Sequence, residues 1–202
     1  MIDQARFGWA EDEAATYDAA HDCAARALLA DPDCGDAYMI KGYAWTFQRR
    51  HDEAIAAGER AIALSPNSTD VYHTAGMYHG YAGNFRKAAA YEEQAQRLSP
   101  INRIESMVDE ARAKYHMGNF ISARDITLRV LKTNPRWLTA QTLLVATLWS
   151  HGSIEEARSV AQKMLASHSN FSVSRWARRL PYRRPEDLEA LVNPLRMAGL
   201  PE

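Results

Sequence analysis

Seven histidines, 24 basic and 25 acidic side chains are the groups from which this 202-residue chain could build a catalytic or metal centre. Two clusters stand out, His21-Asp22 and His51-Asp52-Glu53. Neighbours in sequence diverge around a helix, so neither cluster converges on an ion, and solvated helix starts are the expected reading. His73 and His79 lie six residues apart, on different helical faces. His73 and His116 remain as acid/base candidates for an enzyme, but neither shows an orienting partner or a nucleophile. No glycine-rich phosphate loop, nucleophile motif or carboxylate pair is written in the chain. Cys23 and Cys34 are too few for a disulfide framework and lack zinc-ligand spacing. The expectation is no catalytic residue, no cofactor and no metal. Arg175, Arg178, Arg179, Arg183 and Arg184 surround Trp176 and Tyr182. They read as a solvated end or a docking patch. With a formal net charge of −1, nucleic-acid contact is the weakest reading.

The elements that must position these groups follow from a repeat. Pro32, Pro66, Pro100 and Pro135 are spaced 34, 34 and 35 residues apart. Ala20, Ala54, Ala88, Ala123 and Ala157 keep the same step, as do Ala27, Ala61, Ala95, Val130 and Met164. A fourth column runs Gly8, Gly42, Gly76, Ala111, Val145. The small columns mark places where two helices cross too closely for a large side chain. Each proline falls just after a second helix, where its missing N–H ends the run. Gly83-Asn84, Gly118-Asn119 and Gly152-Ser153 suit the left-handed conformation that closes a first helix. Ala54, Ile55, Gly58, Ala61, Ile62 and Leu64 make an apolar stripe at helical spacing. The extra residue of the fourth copy belongs in the loop near Asn102.

A 34-residue helix pair with small residues at its eighth and twentieth positions and proline at its thirty-second resembles the tetratricopeptide repeat. Tyr38 and Tyr72 hold the aromatic fourth position of that pattern. The resemblance covers five copies, 1–34, 35–68, 69–103, 104–137 and 138–170. It implies an all-α, right-handed α-solenoid, with residues 171–202 as a C-terminal capping segment of the same domain. The sequence departs from the pattern where Lys41 and Ala75 replace leucine, and where Gly58 and Glu92 replace a large residue at the twenty-fourth position. Ser169 replaces the last proline.

Beyond the repeats, Phe171 to Leu180 suggests a short helix and Glu186 to Ala198 an amphipathic one. Leu188, Leu191, Val192, Leu195 and Met197 give the latter an apolar stripe, and acidic residues load its first turn. The first copy has no such cap; its polar first helix is expected to be frayed or cut from something longer. The tail from Pro181 to Glu202, PYRRPEDLEALVNPLRMAGLPE, resembles the end of tetratricopeptide regions in bacterial class III adenylate/guanylate cyclase-like signalling proteins. That resemblance implies a regulatory or scaffolding module, without cyclase activity in this chain.

In the tetratricopeptide pattern, first helices line the concave face. Their outward positions here supply Met39, Tyr43 and Phe47, then His73, Met77 and Tyr81, then Arg112, Tyr115 and His116, and finally Trp149. Tyrosine, tryptophan and arginine most often carry interface energy. The expectation is a noncatalytic interaction scaffold whose groove holds a protein or peptide partner. The alternative is that these aromatics pack against a neighbouring repeat, or against the C-terminal segment folding into the groove. A clamp for chaperone C-termini is not expected, because Met39, Tyr43, His73 and Met77 stand where lysine and asparagine are needed. Residues 1–36 carry nine acidic groups against Arg6 and Arg26. Opposed to the arginine-rich end, they suggest weak head-to-tail self-association, or a homo-oligomerisation module as a rival function. No run approaches the roughly 18 apolar residues of a membrane span, and the N-terminus has no signal-peptide pattern. A reduced, cytoplasmic setting without membrane partners is expected.

Overall fold

A computed structural model describes residues 12–99 and 104–202. Every regular element among them is helical. In chain order these are α1 (Glu13–Ala30), α2 (Gly35–Phe47), α3 (His51–Leu64), α4 (Thr69–Tyr81), α5 (Phe85–Leu98), α6 (Ile104–His116), α7 (Phe120–Thr133), α8 (Leu138–Ser150), α9 (Ile154–Ser167), α10 (Val173–Ala177) and α11 (Pro185–Met197). They divide into two units. The first comprises Met1–Pro100 with Pro181–Arg183, and the second Ile101–Leu180 with Arg184–Glu202. The first helix of the first copy and the loop near Asn102 lie outside the described residues.

In the first unit, α2 pairs with α3 and α4 with α5, while α1 packs on α2. Polar side chains cap two of these helices, α1 and α4, at N–H groups that have no partner within the helix. Asp12 accepts from the Ala15 N–H at 3.0 Å and Ser68 from the Val71 N–H at 3.4 Å. The repeat columns face inward: Ala54, Ala61 and Ala95 are fully closed to solvent. The Gly42 column has a specific cause. A Cβ on Gly42 would lie 2.6 Å from the Tyr78 ring and 3.1 Å from the Ala54 carbonyl oxygen. On Gly58 it would meet the same ring at 2.9 Å. One tyrosine from the following copy therefore fills the space that a large side chain at the twenty-fourth position would take. Its hydroxyl donates to the Met39 carbonyl. Glu92, the other departure, is buried beneath Gly76, with Oε2 2.9 Å from His73 Nδ1.

Gly83 closes the α4–α5 turn with φ 88°. The equivalent place between α2 and α3 is held by Arg49 at φ 60°. A side chain in the left-handed region costs roughly 1 kcal/mol or more relative to glycine. The turn closes all the same, through the Arg50 N–H to the Trp45 carbonyl at 2.8 Å.

In the second unit, α6 pairs with α7 and α8 with α9. Gly118 and Gly152 close their turns at φ 76° and 93°. Ala111, Ala123, Val145 and Ala157 carry the columns through its interior. The tail forms α10 and α11, with Pro185 opening α11 and Pro194 inside it. α11 lies on α8, a first helix. Its apolar stripe buries Leu191, Val192 and Leu195, whereas Met197 stays exposed. The last residues are held by the Val173 N–H to the Pro201 carbonyl at 2.8 Å, by Arg196 to Glu202 at 2.6 Å and by the Ser174 hydroxyl donating to Glu202.

Candidate interaction face

The first-helix face of the first unit is lined by α2 and α4. Met39, Tyr43 and Phe47 on α2 are half-buried, whereas Met77 and Tyr81 on α4 are 1% and 2% exposed. Aromatic rings connect them. Tyr43 lies 5.2 Å from Phe47, and Phe47 meets Tyr17 at 6.2 Å and the edge of Tyr81 at 6.1 Å. What covers Tyr81 is a piece of the chain's own tail. Tyr182, itself buried, packs edge-on against Tyr81 at 5.2 Å. The Arg183 N–H donates to the Tyr81 carbonyl at 2.9 Å, and Arg49 Nη1 donates to the Tyr182 carbonyl at 3.0 Å. The Arg183 guanidinium pairs with Asp52. Tyr17, Arg49 and Asp52 were not among the groove residues expected from the sequence. Arg49 was the legible one, since glycine occupies its place in the later turns.

His73 belongs to the α4–α5 interior, through Glu92. His79 enters a polar cluster on the other side of α4. Its Nε2 lies 3.0 Å from Glu59 Oε1, and Asn84 Nδ2 lies 3.2 Å from its Nδ1. Lys87 Nζ also reaches Glu59, at 2.6 Å, and Tyr91 donates to the same carboxylate. Burial pushes the Glu59 carboxyl up, but the bonds from Lys87, His79 and Tyr91 together outweigh it and hold its pKa below the ordinary value. Burial likewise lowers His79, against the pull of Glu59. His51, the first residue of α3, is buried with both ring nitrogens unbonded. Burial, then Arg183 and Arg49, hold its pKa below 6.5, and Asp52 opposes them.

In the second unit the expected groove residues are largely occupied. Arg112 is buried in an ion pair with Asp109 at 2.8 Å. Tyr115 donates to the Ala190 carbonyl of α11 and lies 3.1 Å from Ser150 Oγ. α11 thus sits over α6 and α8, on the face where a partner was expected, rather than as one more layer on α9. A residual cavity of about 10 Å³ between Arg112, Thr142, Trp176 and Leu191 is at most one water in size. Trp149 stays half-buried, with the Arg158 guanidinium 5.8 Å from its ring centroid. Of the five tail arginines, Arg175 and Arg179 line a surface cavity of about 270 Å³ with Trp176 and Phe171, and Arg178 is exposed nearby. Arg184 turns to Asp187 at 2.6 Å, so it and Arg183 are already engaged with carboxylates.

Burial lowers the His116 pKa to about 3, with Arg112 and Arg184 adding repulsion. His116 is therefore expected to stay neutral by NMR titration well below pH 6. Its folded pKa lies below the unfolded 6.5. The stability it contributes is complete above pH 6.5 and is lost as pH falls towards 3. Denaturant midpoints at pH 7.0 and 5.5 read this slope, which reaches about 1.4 kcal/mol per pH unit for one such group. An imidazole titrating near 6.5 would contradict its enclosure.

Residues 6–69 match the family model for the tetratricopeptide repeat. No curated protein matches the chain. Among solved structures, the chain is similar to PilW, a type IV pilus biogenesis factor, at 17% identity and TM-score 0.72, over 90% of this chain and 81% of that one. It is also similar to YrrB, a TPR protein with an unusual peptide-binding site, at 15% identity and TM-score 0.61, over 87% and 90% of the two chains. A thermophilic TPR protein from Thermus thermophilus matches at 18% identity and TM-score 0.64, over 90% of each chain. At these identities the likeness is one of fold, the all-α tetratricopeptide solenoid. Among the described residues no helix is long and apolar enough to cross a membrane.

Proposed function

We propose that this tetratricopeptide fold serves as a noncatalytic scaffold, holding a protein partner through the first-helix face of its first unit. The observation that carries this reading is the tail segment already lying there. Its main chain is bound by the Tyr81 carbonyl and the Arg49 guanidinium, and its tyrosine is buried against an aromatic row. A face that takes one non-helical segment through main-chain groups and an aromatic anchor has the means to take another. Met39 and Tyr43 beside it remain half-buried, with surface left to give to a partner. The printed description of YrrB as having a peptide-binding site lends the same reading support. The resemblance of Pro181–Glu202 to cyclase-like proteins supports a place as the regulatory module of a larger cytoplasmic signalling protein.

The test is affinity capture from the source organism's lysate with the native chain and a Met39→Ala/Tyr43→Ala variant. Both side chains are partly exposed, so the variant is expected to melt within a few degrees of the parent. Loss of a protein that the native chain retains is the expected result. Equal retention by both chains would remove this face as the binding site.

A further inference from the structure

Arg49 is the side chain that this fold has least local reason to keep. Its φ of 60° falls where the later turns use Gly83, Gly118 and Gly152. In that backbone it delivers a guanidinium to the Tyr182 carbonyl at 3.0 Å. Asp52, three residues on, accepts the Arg183 guanidinium. Between them His51 is enclosed with both ring nitrogens unbonded, and burial, with Arg183 and Arg49 beside it, disfavours its charged form. The Tyr81 carbonyl, at the end of α4, takes the Arg183 N–H. The seat thus reads a buried tyrosine and a basic residue in succession. It holds them by one carbonyl, one N–H, one ring and one charge. None of those four requires the peptide to be tethered.

We propose that Pro181–Arg183 is a self-supplied ligand. The seat formed by Arg49, Asp52 and Tyr81 receives, from a partner protein, a segment with an aromatic residue followed by arginine or lysine. The chain's own segment competes with it. This rests on the scaffold reading above and names the chemistry of the partner. A tethered occupant lowers the apparent affinity for a free one by the fraction of time the seat is open. The native chain is accordingly a restrained binder, and release of its tail switches it on. Arg49 acts as a recognition group for the peptide carbonyl.

The probe is a fluorescein-labelled hexapeptide, Leu-Pro-Tyr-Arg-Arg-Pro, copying residues 180–185. Its anisotropy is titrated with the full chain. The Tyr182→Ala/Arg183→Ala chain, whose seat is vacated, is expected to bind the probe at least tenfold more tightly than the native chain. Adding Arg49→Gly should abolish that gain. Glycine is at ease at this φ, so a melting temperature no lower than before shows that the fold is kept. A probe with alanine for tyrosine should not bind. Arg183→Ala alone, at an exposed side chain, should give the same ordering with a smaller gain of about threefold, as an exposed ion pair allows. That variant serves as the test if the double change disturbs folding. Equal affinity of native and vacated chains would overturn the proposal, as would probe binding indifferent to Arg49. A lysate partner lost with Met39→Ala/Tyr43→Ala, together with a probe that never binds, would sink this inference and leave the scaffold standing.

Discussion

Replacing Tyr78 by alanine is expected to lower the stability of the first unit by about 3–5 kcal/mol, among the largest effects of any single truncation here. The ring is closed to solvent and fills the space over both Gly42 and Gly58. Those two glycines cannot refill it, so the cavity persists beside a backbone shaped around the ring. Alanine's better helix propensity returns only about 0.5 kcal/mol. In a chain of this size, each kcal/mol moves the melting midpoint by about 2–4 °C. A fall of roughly 10 °C in the melting midpoint, followed by the helical circular-dichroism signal, is the expected reading. Tyr78→Phe keeps the ring and loses the hydroxyl with its bond to the Met39 carbonyl, so it should cost about 1 kcal/mol. If Tyr78→Ala melted within about 3 °C of the parent, the ring would not be filling the interior between these copies.

Ala54→Glu should have an effect of similar size for a different reason. Ala54 is 0% exposed, and its carbonyl oxygen stands 3.1 Å from where a Cβ on Gly42 would be. A glutamate there brings volume into a closed crossing and a carboxylate into an apolar one, together costing several kcal/mol. Glu53, the residue before it on the same helix, is exposed, as is Asp52. Glu53→Ala should change stability by no more than about 0.5 kcal/mol. The contrast between the two variants in a denaturant titration tests the register of the repeat directly. Equal midpoints would mean that the alanine column does not mark the crossing of α2 and α3.

The departures from the repeat pattern show how far the sequence could be read. Gly58 and Glu92 break the same column, and pattern alone makes both look like weakened pairs. In the folded chain each is compensated, Gly58 by the ring of Tyr78 and Glu92 by the imidazole of His73. His73 stood in the sequence as a groove residue, because its position borders both the outward face and the helix-pair interior. The neighbour across the pair decides which way such a residue serves, and Glu92 holds it inward. Tyr115 is a similar case, its hydroxyl engaged by α11 rather than left to a partner. The short helix expected over Phe171 to Leu180 is realised as Val173–Ala177, between the Ser172 cap and the turn before Pro181.

By itself the amino-acid sequence determined the helix pairs, their 34-residue step, the inward columns and the glycine turns. These rest on contacts within a copy or between neighbouring copies, and such contacts recur at a constant offset that leaves a period in the chain. Only the tertiary structure decided which aromatic groups stay available. The bond from Arg49 to the Tyr182 carbonyl joins residues 133 apart, and the Asp52–Arg183 pair joins residues 131 apart. No period encodes a contact made once. Its partners are chosen by where the non-repeating tail comes to rest, and that is settled by burial of Tyr182 and by main-chain groups every residue possesses.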